Sequence, residues 1–282
     1  MWDHYPEVRE DLKEVLRVIE SHVRVRDQVV ESTIKELIHS GGKLLRPAYT
    51  LLCSNIGANQ EKDKAIALAS ALEVLHMATL VHDDVIDESD TRHGIPTIHT
   101  RHDNRFAIYS GDYLFCVCFT ILSRHASSLA HLEFNARGME KILLGELDQL
   151  NARYKTTVTL KDYLSRISGK TAQLFAVSCY TGALQSEAPR RMAMNAWNMG
   201  HYIGMAFQIM DDILDYKGNC QKLGKPVLAD IRQGHYTLPL IYAMKQKPSA
   251  FKELLAKRED ITDEELLQIT ELVHQYQGVE RA

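Results

Sequence analysis

The chain has 282 residues, 45% of them hydrophobic and 25% charged, with a net charge of −4 and a pI near 6.4. That balance suits a globular protein with a sizeable core and argues against a nucleic-acid surface. Cys53, Cys116, Cys118, Cys179 and Cys220 form an odd set with no C-x-x-C pair, which fits reduced thiols in the cytoplasm and not a zinc site.

The opening "MWDHYPEVRE" has no basic region followed by an apolar one, so no export signal is read there. Val8, Leu12, Val15, Leu16, Ile19 and Val23 then recur at three- and four-residue intervals, the spacing of one helix face. Comparable patterns run over 27–39, 44–56, 62–88, 103–126, 134–153, 160–182, 187–216, 227–245 and 249–274. The breaks between them are too short for flexible linkers, and no stretch alternates with period two long enough to suggest a sheet. The expectation is a single all-α domain over 1–282. The most apolar run, 65–81, is interrupted by Ser70, Glu73 and His76 and reads as a core helix, not a membrane span.

"LVHDDVIDESDTRHG" at 80–94 and "QIMDDILDYKG" at 208–218 share the spacing D-D-x-x-D. Asp83, Asp84 and Asp87 form the first cluster, and Asp211, Asp212 and Asp215 the second. Advancing about 100° per residue from Glu73, the residues His76, Leu80, Asp83, Asp84 and Asp87 share a wedge of roughly 100°. The second cluster repeats this geometry around Gln208, with Asp211 about 60° to one side and Asp212 about 40° to the other. A solvated helix end would look similar, but such a face usually carries lysines, and none follows Lys64 in this helix. Two acidic clusters facing across a cleft would repel, so a hard cation is expected between them. All-oxygen ligands point to Mg²⁺, which keeps several waters and binds substrate phosphates. The acids lack the loop spacing of an EF-hand.

"GGKLLRP" at 41–47 offers Gly41 and Gly42 as an entry, with Lys43 and Arg46 spaced to share a helix face and grip one diphosphate. "SGKTAQL" at 168–174 lacks the upstream glycine of a nucleotide-binding loop. "KLGKP" at 222–226 adds Lys222 and Lys225 just past the second cluster. Singly these signals are weak. A histidine on an apolar helix is more often a satisfied core residue than a ligand, and a Lys/Arg pair at a helix start is usually solvated.

Taken together, G-G-K-x-x-R-P, D-D-x-x-D followed by T-R, K-T, Q-x-x-D-D-x-x-D, and G-K-P followed by T-L-P stand in the order found in trans-isoprenyl diphosphate synthases. The chain resembles a polyprenyl diphosphate synthase over residues 10–245, most closely the catalytic component of the bacterial heptaprenyl or hexaprenyl enzymes. The resemblance implies an isoprenoid-synthase-type helical bundle around a deep central cavity, and transfer of an allylic prenyl diphosphate's chain to isopentenyl diphosphate. It implies Mg²⁺, or Mn²⁺ in its place, held by Asp83 and Asp87 with Asp84, and by Asp211 with Asp212 and Asp215. Arg92, Lys170 and Lys225 match further cations on the allylic diphosphate. Thr171 and Gln208 match positions whose oxygens face the nascent allylic cation. Lys43, Arg46 and His76 match the isopentenyl diphosphate pocket. Asp83, Asp87, Lys170, Asp211 and Lys225 are the residues expected to be catalytic.

Three positions depart from the family pattern. His93 stands where a second arginine usually binds isopentenyl diphosphate, His235 stands where Lys or Asn is common, and relatives usually continue beyond "HQYQGVERA". Ala78 and Thr79, small where aromatic residues stop growth early, imply a product longer than C20, roughly C30–C35 at one five-carbon unit per helical turn. A homodimer, or a heterodimer with a small second component, is expected, with at most peripheral membrane contact for product release. The alternatives are a non-catalytic regulatory subunit, a shorter-chain (C15–C20) synthase and a terpene cyclase. Regulatory subunits typically lose an aspartate motif, and cyclases replace the second one. This chain keeps both.

Overall fold

The computed structural model describes residues 1–92, 94–126, 128–217 and 229–282. The chain begins with α1 (Pro6–His22), α2 (Gln28–His39), α3 (Leu45–Cys53) and α4 (Lys62–Ile86). A short antiparallel ribbon follows, β1 (Thr91–Arg92) with β2 (Ile95–Pro96), and then α5 (Ile98–Arg101), α6 (Asn104–His125) and α7 (Leu129–Asn151). Next come α8 (Leu160–Ile167), a π turn (Ser168–Ala172), α9 (Gln173–Gln185) and α10 (Arg190–Lys217). The chain ends with α11 (Ala229–Arg232), α12 (Leu238–Gln246), α13 (Pro248–Leu255), α14 (Asp263–Gln275) and α15 (Gly278–Arg281).

The all-α expectation holds, with four local corrections. The break at "RHGIPT" contains a strand ribbon, where no strand was expected, and Gly94 turns it at φ +81°. The helix expected over 160–182 is interrupted by the π turn, an insertion often found at functional positions. The segment 227–245 divides into α11 and α12, because Gly234 takes φ +82° and Thr237 and Pro239 start a new helix. The segment 249–274 divides into α13 and α14, with Thr262 and Glu265 forming a capping box at the second start.

The chain folds as two compact units. The first comprises Met1–Gly138 and Leu174–Gly200. Its centre is α4, against which α1, α3 and α6 pack. By length and hydropathy α4 could cross a bilayer, yet 72% of its most apolar window is buried inside the protein, as a core helix requires. The backbone of α9 presses on α3 at Gly182, where a Cβ would lie 2.1 Å from the Thr50 carbonyl oxygen.

The second unit comprises Met139–Gln173 and His201–Ala282. Tyr163, Ile167, Tyr216, Leu240, Phe251 and Ile269 belong to its core. Helix α12 packs on α8, α13, α14 and α15. Gly145 of α7 meets the π turn so closely that a Cβ there would lie 3.0 Å from Gly169. This near contact of two glycines seats the π turn directly on α7.

Candidate active site

In the first unit the acidic cluster occupies the C-terminal turn of α4, and that turn holds no basic residue. The helix dipole places partial negative charge at this end, so three carboxylates here are electrostatically unfavourable unless a cation joins them. The chain supplies part of that charge itself. Glu88, at φ +50°, ends the helix path, and β1 carries Arg92 back toward it. Arg92 donates from Nε at 2.8 Å and Nη2 at 2.6 Å to Asp84 Oδ1. Asp84 is only 4% exposed; burial raises its pKa and Arg92 opposes the rise. Asp83 and Asp87 are half-buried. The structure therefore gives Asp84 a protein partner that Asp83 and Asp87 do not share with it through Arg92.

Arg46 lies in the first turn of α3, its guanidinium 4.7 Å from the Phe175 ring centroid. Burial lowers its pKa to about 10, so it remains a cation at neutral pH. His76, half-buried on α4, is held well below the usual histidine range by burial and by the charges of Arg46 and Arg92. It is a neutral imidazole at pH 7. Lys43 requires a correction. Gly41, Gly42 and Leu44 all take positive φ, so Lys43 precedes α3 instead of sharing a helical face with Arg46. Its side chain is exposed, and its carbonyl accepts from Trp2 Nε1 at 2.8 Å.

The second unit joins four side chains into one hydrogen-bonded chain. Thr171 Oγ1, in the π turn, donates to Gln208 Oε1 at 2.7 Å. Gln208 Nε2 donates to Asp212 Oδ1 at 2.8 Å, and Tyr163 Oη donates to Asp212 Oδ2 at 2.7 Å. Asp212 is 3% exposed, and burial pushes its pKa up to about 6 while the two donors pull it down. Asp211 and Asp215 are exposed near the C-terminal end of α10. The middle aspartate is thus again tied to the protein, with its i−1 and i+3 neighbours at the more accessible positions. Lys170 donates to Glu146 Oε2 at 2.9 Å, across the contact that Gly145 and Gly169 allow.

His235 is buried with Nδ1 unpartnered, and its pKa is lowered to about 3 by burial and by Lys170, Arg166 and Arg153. His93, Lys222 and Lys225 lie outside the described residues.

Among the described residues no three His, Cys, Asp or Glu side chains converge into a ready metal cage. The donors nevertheless suit a hard cation that brings most of its own ligands. Each cluster offers carboxylate oxygens at accessible positions in the C-terminal part of a helix, and Mg²⁺ bound through one or two carboxylates completes its shell with water and phosphate.

The sequence profile of the polyprenyl synthetase family matches residues 27–273, and the chain belongs to that family. Heptaprenyl diphosphate synthase component 2 of Geobacillus stearothermophilus is 40% identical over 244 residues, which span 86% of this chain and 75% of the relative. Geranylgeranyl pyrophosphate synthase from Lactobacillus brevis ATCC 367 has a TM-score of 0.94 at 40% identity, over 99% of this chain and 87% of that one. A polyprenyl synthase from Caulobacter crescentus CB15, complexed with calcium and isoprenyl diphosphate, has a TM-score of 0.91 at 30% identity, over 98% and 84%.

Sequence reasoning passed over Tyr163, Glu146 and Phe175 as site residues. Each acts through a neighbour distant in the chain, and no spacing rule marks it.

Proposed function

We propose that the protein is a trans-prenyltransferase that condenses isopentenyl diphosphate with an allylic diphosphate in the presence of Mg²⁺. The observation that carries this reading is the repeated treatment of the aspartates. In each unit the middle acid is buried on protein donors, and its i−1 and i+3 partners are left at more accessible positions in the C-terminal part of a helix. A protein that had lost catalysis would have no reason to keep that arrangement twice. Asp83, Asp87, Asp211 and Asp215 would hold the metal, whose chemistry is to neutralise diphosphate charge as the allylic C–O bond breaks. Asp84 and Asp212 orient their neighbours, through Arg92 and through Gln208 and Tyr163 respectively. Thr171 and Gln208 present oxygen dipoles suited to a developing allylic cation. Arg46 and neutral His76 suit the diphosphate of the five-carbon substrate. The released diphosphate is a sufficient base for the final proton.

For product length the small side chains of Ala78 and Thr79 support roughly C30–C35, one unit per helical turn of open wall. The heptaprenyl relative falls at the upper end of this range, while relatives named for geranylgeranyl and solanesyl products fall below and above it. The component name of the Geobacillus relative makes a small second subunit worth supplying in the assay; a homodimer is the other arrangement.

The test is incubation with Mg²⁺, labelled isopentenyl diphosphate and allylic primers, with and without a candidate partner. We expect products only with Mg²⁺ or Mn²⁺. Asp83→Ala or Asp211→Ala should each lower kcat by about 10²–10³, the scale of lost electrostatic catalysis. Near-full activity in either variant overturns the assignment. Ala78→Phe should shorten the product; a long product left unshortened refutes the open wall.

A further inference from the structure

Two glycine–charge dipeptides face each other in the second unit, Gly145–Glu146 in α7 and Gly169–Lys170 in the π turn. A Cβ on Gly145 would lie 3.0 Å from the Lys170 backbone nitrogen, and one on Gly169 would lie 3.3 Å from Gly145 Cα. Both distances are tighter than ordinary van der Waals contact, so the glycines let the two segments come close enough for their charged neighbours to meet. Lys170 Nζ donates to Glu146 Oε2 at 2.9 Å, and the two side chains are 28% and 19% exposed. An ion pair shielded to that degree is screened by salt much less than one on the open surface. The next residue, Thr171, reaches a different helix: it donates to Gln208 of α10 at 2.7 Å, and Gln208 continues to Asp212 of the second acidic cluster. The π turn is thus tied to both α7 and α10, and its lysine stands one residue from the chain of bonds that ends on the acids.

The geometry points to Glu146 as a positioning residue that sets the Lys170 ammonium for the diphosphate of the allylic substrate. The inference rests on the prenyltransferase reading above and adds a residue to it. A lysine carries its charge on a flexible four-carbon stem, and fixing that stem before binding removes an entropic cost from anion capture. Glu146 supplies the restraint from α7, and the glycine contact fixes the distance over which it acts. Its negative charge weakens the attraction of Lys170 for an anion, so the gain lies in placement, and an uncharged acceptor of the same length should serve nearly as well. An ion pair that only fastened α7 to the turn would contribute to stability and leave both Michaelis constants alone. A placed ammonium acts on one substrate.

Steady-state kinetics with both substrates varied test this directly. Glu146→Leu, which removes the restraint, should raise the allylic KM about tenfold and leave the isopentenyl KM unchanged. Glu146→Gln keeps the length and an acceptor oxygen and should restore most of the affinity. In a Lys170→Met background Glu146→Leu should add little. An unchanged allylic KM in Glu146→Leu, equal rises in both KM values, a glutamine variant no better than the leucine one, or full additivity with Lys170→Met would each overturn the proposal. Should Glu146→Leu not fold, Glu146→Asp decides: its shorter reach should raise the allylic KM, and a wild-type value overturns the idea. If the wild-type protein makes no prenyl product at all, the prenyltransferase reading fails. The placement of Lys170 is then judged by calorimetry with inorganic pyrophosphate and Mg²⁺, where weaker binding by Glu146→Leu supports it and equal affinities refute it.

Discussion

Tyr163→Phe isolates the contribution of one hydrogen bond to the second acidic cluster. The ring of Tyr163 is fully buried, so phenylalanine fills nearly the same volume and leaves no sizeable cavity. What disappears is the donor 2.7 Å from Asp212 Oδ2, while Gln208 stays on Oδ1 at 2.8 Å. A hydrogen bond to a charged group contributes about 1.5–3 kcal/mol, so about 2 kcal/mol is the expected loss. With an unfolding entropy of about 2.1 cal/mol/K per residue, the melting midpoint should fall by about 3 °C. The pH dependence fixes the mechanism. Tyr163 lowers the pKa of Asp212 by favouring its ionised form, against burial that lifts it to about 6. The contribution of the bond is therefore largest above pH 6 and should shrink as the pH falls toward 5 and both proteins carry a neutral Asp212. Thermal melts of both proteins at pH 7.5 and pH 5, with chelator present so that no metal compensates, measure the two differences. Equal midpoints at pH 7.5, or a difference that grows on acidification, would refute the assigned role of the phenol.

Arg92→Gln leaves Asp84 buried without its cation and should cost about 3–5 kcal/mol in urea unfolding, with Asp84→Asn recovering part of the loss in the double variant. Glu73 has a folded-state pKa raised to about 7 by burial, so its contribution is fully present below the unfolded value and is lost as the pH rises through 7. Unfolding free energy measured between pH 4.5 and 8 should decline by about 3 kcal/mol from this group, and Glu73→Gln should flatten that part of the profile. Gly182→Ala places a methyl 2.1 Å from the Thr50 carbonyl and should destabilise by about 3 kcal/mol, read by calorimetry of the first transition. A wild-type transition would mean that α9 can move off α3 at little cost.

The helices were legible in the sequence because their signal is local. Apolar spacing marked α4 over 62–88 where it runs Lys62–Ile86, and α2 over 27–39 where it runs Gln28–His39. Breaks inside long periodic stretches were harder to read. The π turn at Ser168–Ala172 keeps the apolar rhythm of its neighbours, and the contact of Gly145 with Gly169 that accompanies it joins segments distant in the chain. The strand ribbon at Thr91–Pro96 is too short for a period-two pattern to register.

The family and the residue types of the candidate site also follow from the sequence alone, since the motifs are short, ordered and rich in charge. Their division of labour does not. Successive helical residues differ by about 100°, so spacing separates Asp84 from Asp83 and Asp212 from Asp211 without saying which points inward. Arg92 and Tyr163 make that choice, one returned by a ribbon and the other delivered from α8, and both buried acids follow their donors. Lys43 left the helix face it was expected to share because the backbone takes positive φ at Gly41, Gly42 and Leu44 on either side of it, which depends on the path of the chain into α3. Glu73 shows the same limit from the other side. A sequence displays an acid in an apolar run, but only packing buries it, and burial decides whether it carries a proton.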